Sequence, residues 1–467
     1  MHDDMKKRLV DLLGAANVLD AIEDRLTYAY DASGGRCLPA AVVFPRDAAQ
    51  VAAILAMADD RRVPVVPRGA GSGLTGGAVP LAGGIVMAMD RCNRILEVDT
   101  ANRQAIVEPG VVTARLHAAV EARGLFYPPD PASMTFCTIG GNIAENAGGM
   151  RAVKYGVTKD FVMGLEVVLA DGTIIHSGSR CIKDVVGYDL TRLFVGSEGT
   201  LGVITRAVLK LLPLPEDKQT LLASFGTMDH AAQTVAAIVK EGIIPTTLEF
   251  MDRHCIRAVN RFQDCGLPAD AAAALLVEVD GKRSEIASDL DRIRRVCEAN
   301  RALGIDIARD ESHQESLWRA RRSVHAALGQ LRPRWEEEDI AVPIARIPQM
   351  VRRLDAIGNE LNVLIASFGH AGDGNIHVSL AAFDDTTPPE NLTRAREAVL
   401  KAAVALEGRI AAEHGIGMLK RNKIGWNLDT DTLSLMRRIK KLLDPNGILN
   451  PGKIFPSSAS CDDARQE

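Results

Sequence analysis

Short apolar runs break against glycine-rich segments in the first half of the chain and alternate with amphipathic stretches in the second. Residues 48–61 are Ala-rich with apolar positions at helical spacing, and the apolar run 63–66 behind them predicts a strand. Residues 84–89 and 95–99 read as consecutive strands. Residues 165–170 run into Asp171-Gly172 and then 173–175, a hairpin with an Asp-Gly turn. A Pro-rich segment, 213–217, reads as a linker closing a first domain. Beyond it the pattern alternates: strand 220–225, helix 228–240, strand 246–250, helix 255–262, strand 275–279 and a long charged helix, 282–302. Strands alternating with helices predict a sheet covered on one face, in an α/β or α+β domain. No internal repeat or low-complexity segment interrupts the pattern. The polar tail 457–467 is expected to fray.

Three glycine-rich stretches stand out from these elements. Residues 67–78 read PRGAGSGLTGGA, with five glycines, two hydroxyl residues and an arginine at the head. Glycine lets backbone N–H groups turn toward one point and lets a ligand approach closely, and such a nest beside a cation suits a pyrophosphate. A flexible loop would read the same way. Residues 128–133 (PPDPAS) and 138–149 (TIGGNIAENAGG) form the second stretch, and 196–204 (GSEGTLGVI) the third. None fits G-x-G-x-x-G between a strand and a helix, and there is no G-x-x-x-x-G-K-[ST]. Three such stretches favour a long ligand held by several separate loops, as a dinucleotide such as FAD would need.

Together these stretches resemble the FAD-binding domain of the vanillyl-alcohol oxidase / p-cresol methylhydroxylase superfamily. From about Pro39 to Phe455 the chain resembles its glycolate oxidase / D-lactate dehydrogenase branch. The segments PRGAGSGLTGGAVP, IGGNIAENAGG, GSEGTLGVIT, FGHAGDGNIH, EHGIG and LNPGK carry the resemblance. It implies an α+β fold: a two-subdomain FAD-binding domain over 1–215, an α/β cap or substrate domain over 216–410, and a C-terminal helical segment, 411–467, completing the active site and flavin pocket. It also implies that Arg68, Gly69, Gly71, Thr75 and Gly76 cradle the pyrophosphate, with Pro67 and Ser72 beside them. Pro131, Ser133, Thr138, Gly140, Gly141, Asn142, Asn146 and Gly148 would line the flavin. Ile204 would lie on the adenine side, and Glu198, Gly199 and Asn450 join the cofactor-binding set. Covalent members carry a His in the first loop. This loop has none, so noncovalent FAD is expected.

Charge and cysteine usage narrow the rest. A net charge of −5 without a basic stripe gives no electrostatic case for nucleic acid. No apolar run is long enough to span a bilayer, and the N-terminus lacks an apolar signal core. A cytoplasmic protein is expected, one that a partner could bring to the inner membrane. None of the eight cysteines forms a C-x-x-C pair, which argues against an iron–sulfur or Cys-based zinc site here. Electrons taken from a substrate must leave through another carrier. The candidates are an iron–sulfur subunit, an electron-transfer flavoprotein or a quinone-linked protein. A homodimer is a possible assembly.

Candidate chemistry gathers late in the chain. In SFGHAGDGNIHV (367–378) two apolar arms flank Gly-Asp-Gly-Asn, a pattern for a hairpin or tight strand-loop-strand that lets His370 and His377 converge. Downstream, Glu413-His414-Gly415-Ile416-Gly417 sits at the end of an Ala-rich helix. Two His and a carboxylate are a common set for a divalent metal with open positions. The resemblance implies that His370, His377 and Glu413 bind zinc or a similar cation and that His414 is the base. Arg suits a substrate carboxylate through its two-point fork. Arg319, Arg321 and Arg322 are hard to separate by sequence, but the family pattern W-x-x-R favours Arg321. Asp339 and Pro343 fit a strand lining the site.

The expected reaction is FAD-dependent oxidation of a small 2-hydroxy acid, D-lactate or glycolate. D-2-hydroxyglutarate dehydrogenases carry Lys just before the matching strand and Asn two residues after the second His. This chain has Glu336-Glu337-Glu338 and Ser379 there. Three acidic residues near a second carboxylate would repel it, unless they face solvent. Three alternatives stand: a D-2-hydroxyglutarate dehydrogenase, a noncatalytic flavin-binding subunit of a larger oxidase complex, and a metal-dependent hydrolase with the glycine loops as scaffold.

Overall fold

The computed structural model describes residues 3–263, 265–331, 335–384 and 387–456, so the tail 457–467 lies outside the described residues. The chain divides into two compact units. The first comprises Met1–Gly148, Val157–Leu214 and Glu413–Glu467; the second comprises Gly149–Gly156 and Pro215–Ala412.

In the first unit, Ala41–Val43 and Val65–Arg68 each pair in parallel with Ile85–Ala88 between them. Ile85, Val86 and Met87 are wholly buried, as a parallel strand covered on both faces requires. Helix Ala48–Arg61 joins the two outer strands. Asp47 caps it by accepting the Gln50 N–H, and Arg62 ends it in the left-handed region at φ 53°. Its Val51, Ile54, Leu55 and Ala58 enter the core. The strand behind it starts later than the apolar run suggests, because the Val63 N–H is still tied to the Ala58 carbonyl. A second, antiparallel sheet orders Ile95–Asp99, Gln104–Val107, Val203–Lys210, Val162–Val168 and Ile174–Gly178. The last two form the predicted hairpin around Asp171-Gly172.

The second unit is one seven-stranded sheet. Its order is Ala302–Ile307, Asp217–Phe225, Ala273–Gly281, Thr247–Asp252, Val363–His370, Asn375–Ala382 and Glu336–Ala341, every pairing antiparallel. Helices cover both faces, not the single face expected. Arg253–Phe262, Glu311–Arg322 and Val324–Leu331 pack with Leu222, Met251, Ala274, Leu276 and Phe368 on one side. Met228–Lys240, Arg283–Ala299, Ile347–Leu361 and Pro389–Ala405 contact one another and the sheet on the other. The reason is visible in Leu275-Leu276-Val277. All three are at most 1% exposed, so neither parity of that strand can face water. The predicted charged helix also ends early, at Ala299, and its last expected residue, Ala302, opens the strand Ala302–Ile307.

Residues 149–156 join this unit through side chains. The Lys154 ammonium donates to Asp280 Oδ1 at 2.5 Å, and the Tyr155 hydroxyl donates to the same carboxylate at 2.9 Å. Val153 lies where a Cβ on Gly372 would fall, so this segment packs onto the turn between Val363–His370 and Asn375–Ala382.

That turn depends on Gly374, which has φ 89° and whose missing Cβ would sit 2.0 Å from the Val342 carbonyl oxygen. Gly374→Ala combines a left-handed penalty with a backbone clash. It should cost roughly 2–4 kcal/mol of stability, read by urea unfolding.

Glu413 does not end the Ala-rich helix, as the sequence suggested. That helix, Pro389–Ala405, stops eight residues earlier. Glu407 turns left-handed at φ 64°, and Gly408 lies so close to the Ala341 carbonyl that a Cβ would meet it at 2.2 Å. Pro343 likewise falls past its strand, which closes at Ala341.

Candidate active site

In the first unit the three glycine stretches meet around one cavity of about 250 Å³. Its walls come from Pro67–Leu74, Pro131–Ser133, Thr138, Gly140–Asn142, Glu145, Ala147, Gly148, Ser197–Gly199 and Gly202–Ile204, with Glu413, His414 and Asn450. The glycines act here by what they leave out. A Cβ on Gly69 would lie 2.3 Å from Thr138 Oγ1, and one on Gly71 (φ 69°) would lie 2.2 Å from Arg68 Nη2. The first loop therefore closes onto the helix cap Thr138 and wraps its own arginine.

Arg68 is 7% exposed; it donates to the Tyr30 carbonyl at 2.7 Å and lies over the Tyr28 ring. Burial holds its guanidinium below the usual value, against the pull of Asp31. A buried cation beside turned backbone N–H groups fits an acidic phosphate ligand. The cavity, its glycine-lined cradle and this arginine fit FAD.

Three residues expected on the cavity surface stand behind it instead. Thr75 is buried and donates its hydroxyl to the His414 carbonyl at 3.0 Å. Gly76 packs under Met418, and Asn146 is the left-handed cap of helix Ile139–Glu145. The sequence reading also missed wall residues. Met89, Pro109 and Cys137 carry no motif signal, whereas Glu145 lies inside the Gly/Asn-rich stretch itself. Glu413 and His414 both face this cavity. Glu413 Oε2 would touch a Cβ on Gly148 at 2.9 Å, and His414 Nε2 is 3.7 Å from Glu413 Oε1.

The second unit gathers a separate polar row on the sheet face under Arg253–Phe262 and Glu311–Arg322. His377 pairs across from Phe368, and His370 from Glu249. The two imidazoles stand edge to face, 5.3 Å between centroids, and each residue is under 8% exposed. His370 Nδ1 meets Glu249 Oε1 at 2.6 Å. Arg321 donates Nε and Nη2 to Glu249 Oε2 at 2.8 and 2.6 Å and lies over the Phe368 ring. Burial would push the fully buried Glu249 carboxyl up, but His370 and Arg321 outweigh it and hold it below the usual range.

The structure thus separates three arginines that the sequence could not. Arg321 is buried in this row, while Arg319 and Arg322 face solvent on Ser316 and Glu315. Asp339 lies opposite His377 on the neighbouring strand, with their Oδ1 and Nδ1 at 3.8 Å. It accepts from Asn375 at 2.7 Å and from the backbone N–H of Ala412 at 2.9 Å. A carboxylate bracing an imidazole, as Glu249 braces His370, is how proteins orient metal-ligating histidines, and His377 and Asp339 are further candidate donors for a divalent cation.

The acidic run does not act as one negative patch. Glu336 and Glu338 point to the opposite face and share Arg396, at 2.9 and 2.8 Å. Glu337 alone shares the face of Asp339, and it pairs with His325 at 3.3 Å.

Family models match both parts of the chain. Residues 39–178 match the family model described as "FAD binding domain", and residues 214–454 match "FAD linked oxidases, C-terminal domain". The chain is 44% identical to "Glycolate oxidase subunit GlcD" of Bacillus subtilis (strain 168), over 98% of this chain and 97% of that protein. It is 37% identical to "D-lactate dehydrogenase" of Archaeoglobus fulgidus, over 88% of this chain and 90% of that protein. Among solved structures, substrate-bound p-cresol methylhydroxylase aligns with a TM-score of 0.79 at 16% identity, covering 98% of each chain, which speaks to the fold. No helix among the described residues is long and apolar enough to cross a membrane. With a glycine-cradled cavity in one unit, a matching oxidase C-terminal domain in the other and full-length relatives above 30% identity, the chain belongs to the FAD-linked oxidases and is an FAD-dependent oxidoreductase.

Proposed function

We propose that this protein oxidises a small D-2-hydroxy acid, D-lactate or glycolate, to the corresponding 2-keto acid. The observation that carries this reading is the buried row Arg321–Glu249–His370. A guanidinium held by one carboxylate oxygen keeps Nη1 for a second carboxylate, which is what a hydroxy acid brings. In this reading Arg321 clamps C1 of the substrate. His370 and His377, with Glu413, would hold a divalent metal, zinc by family resemblance, whose chemistry there would be to lower the pKa of the C2 hydroxyl. His414 takes the hydroxyl proton. FAD, when bound, would supply the hydride acceptor for C2, so that one proton and one hydride would leave and a carbonyl group would remain. The names of the relatives support this substrate class, and "subunit" in one of them supports a partner protein that accepts the electrons.

A second reading, D-2-hydroxyglutarate, is favoured by one observation. The acidic run that would repel a second carboxylate is largely neutralised by Arg396 and His325. Anaerobic mixing of the FAD-loaded protein with D- and L-lactate, glycolate and D-2-hydroxyglutarate, with and without a chelator, decides between them. Rapid bleaching by D-lactate or glycolate, slowed by the chelator, is expected. Bleaching by D-2-hydroxyglutarate alone would overturn the monocarboxylate reading, and indifference to chelation would overturn the metal.

A further inference from the structure

Three buried charged side chains in the first unit are left over by the reaction above. Glu145 and Glu198 both crowd Gly415. A Cβ there would lie 2.4 Å from Glu145 Oε2 and 3.1 Å from Glu198 Oε1, so the two carboxyls occupy the space a side chain would need. Glu198 accepts the backbone N–H groups of Ile416 at 2.9 Å and Gly417 at 2.7 Å. Lys453, 3% exposed, donates to the Gly77 carbonyl at 2.5 Å and to Asn450 Oδ1 at 3.1 Å. Glu145 Oε2 is fully buried with no hydrogen-bond partner among the described residues. Two carboxylates side by side can only accept and repel each other, whereas one shared proton turns the pair into a donor and an acceptor.

We propose that Glu145 keeps its proton and donates it to Glu198, forming with Lys453 a buried latch that fixes the loop carrying Glu413 and His414 against the cofactor cavity. The charges then balance as one acid, one carboxylate and one ammonium. Glu145 and Glu198 are positioning residues: they act on Glu413 and His414 through the backbone of 415–417, which Thr75 also grips at the His414 carbonyl. The directions of titration agree. Burial first, then the Glu198 charge, raises the Glu145 carboxyl well above its usual range, with Asp31 adding to the rise and Lys453 opposing it. Burial lowers the Lys453 ammonium to about 7, with Asp31, Glu198 and Glu145 opposing and Arg68 assisting. Because the raised carboxyl binds its proton more tightly when folded, its stabilisation is present at low pH and fades as pH climbs from the ordinary carboxylate range through the raised value.

The test uses hydrogen exchange at Ile416 and Gly417 in the FAD-free protein, and FAD affinity by flavin fluorescence between pH 5 and 9. Neither readout needs a substrate, so failure here is separable from failure of the hydroxy-acid reading. Glu145→Gln keeps a donor without a titrating proton. It should hold FAD within about threefold of the parent at pH 6, leave the two amides protected, and remove the part of the pH dependence due to Glu145. Glu145→Ala should weaken FAD about tenfold or more and speed exchange at both amides, by loss of the charge-assisted bond. The proposal is overturned if Glu145→Gln is as damaging as Glu145→Ala, or if Glu145→Ala leaves both amides protected.

Discussion

Replacing His414 with alanine is expected to slow flavin reduction by the hydroxy acid about 10²–10⁴-fold, the usual contribution of a general base. FAD should remain bound. The two effects separate because of how the residue is built in. The part of His414 that supports the fold is its carbonyl, which accepts from Thr75, and alanine keeps it. Its imidazole lies on the cavity wall and is not what closes the glycine loops around Arg68. Single-turnover mixing under anaerobic conditions reads the chemical step directly, and bound flavin is read from the visible spectrum. Reduction at the parent rate would remove His414 as the base. Loss of flavin along with activity would assign it a structural role instead.

How much of this was legible in the sequence depends on whether the signal was local. The convergence of His370 and His377 follows from two apolar arms around Gly-Asp-Gly-Asn, because a period of two and a tight turn leave little choice of pairing. The glycine stretches could be read as the lining of one cavity because glycine marks places where backbone must approach something closely. Glu249 could not be found that way. It is one of two acids in the short strand Thr247–Asp252, nothing local marks it out from Asp252, and its meaning lies in His370 and Arg321, more than 70 residues downstream in the chain. The position of Glu413 was misjudged because the helix stops early, where Glu407 turns left-handed and Gly408 packs against the Ala341 carbonyl, a contact that helix propensity does not report. The acidic run was misjudged for a similar reason: a period of two sends Glu336 and Glu338 to the face where Arg396 waits.

The second large effect concerns that hidden acid. Glu249→Ala is expected to cost about 3–5 kcal/mol of stability, since it leaves the Arg321 guanidinium buried without its counter-charge. Arg321→Ala should also destabilise, but by less, because Glu249 keeps His370 as a partner. The double variant should then lie well below the sum of the two single costs, since no uncompensated arginine remains. Function should split differently. Arg321→Ala should lower kcat/KM for the hydroxy acid by about 10²–10³-fold, the scale of losing a charge-assisted clamp on a carboxylate. Glu249→Gln, which keeps shape and one acceptor for Arg321, should preserve most of the stability. Urea unfolding of the four variants gives the coupling, and steady-state kinetics gives the split. Strictly additive stabilities would mean that Arg321 and Glu249 do not depend on each other. An Arg321→Ala enzyme with unchanged kcat/KM would take the substrate carboxylate away from this row.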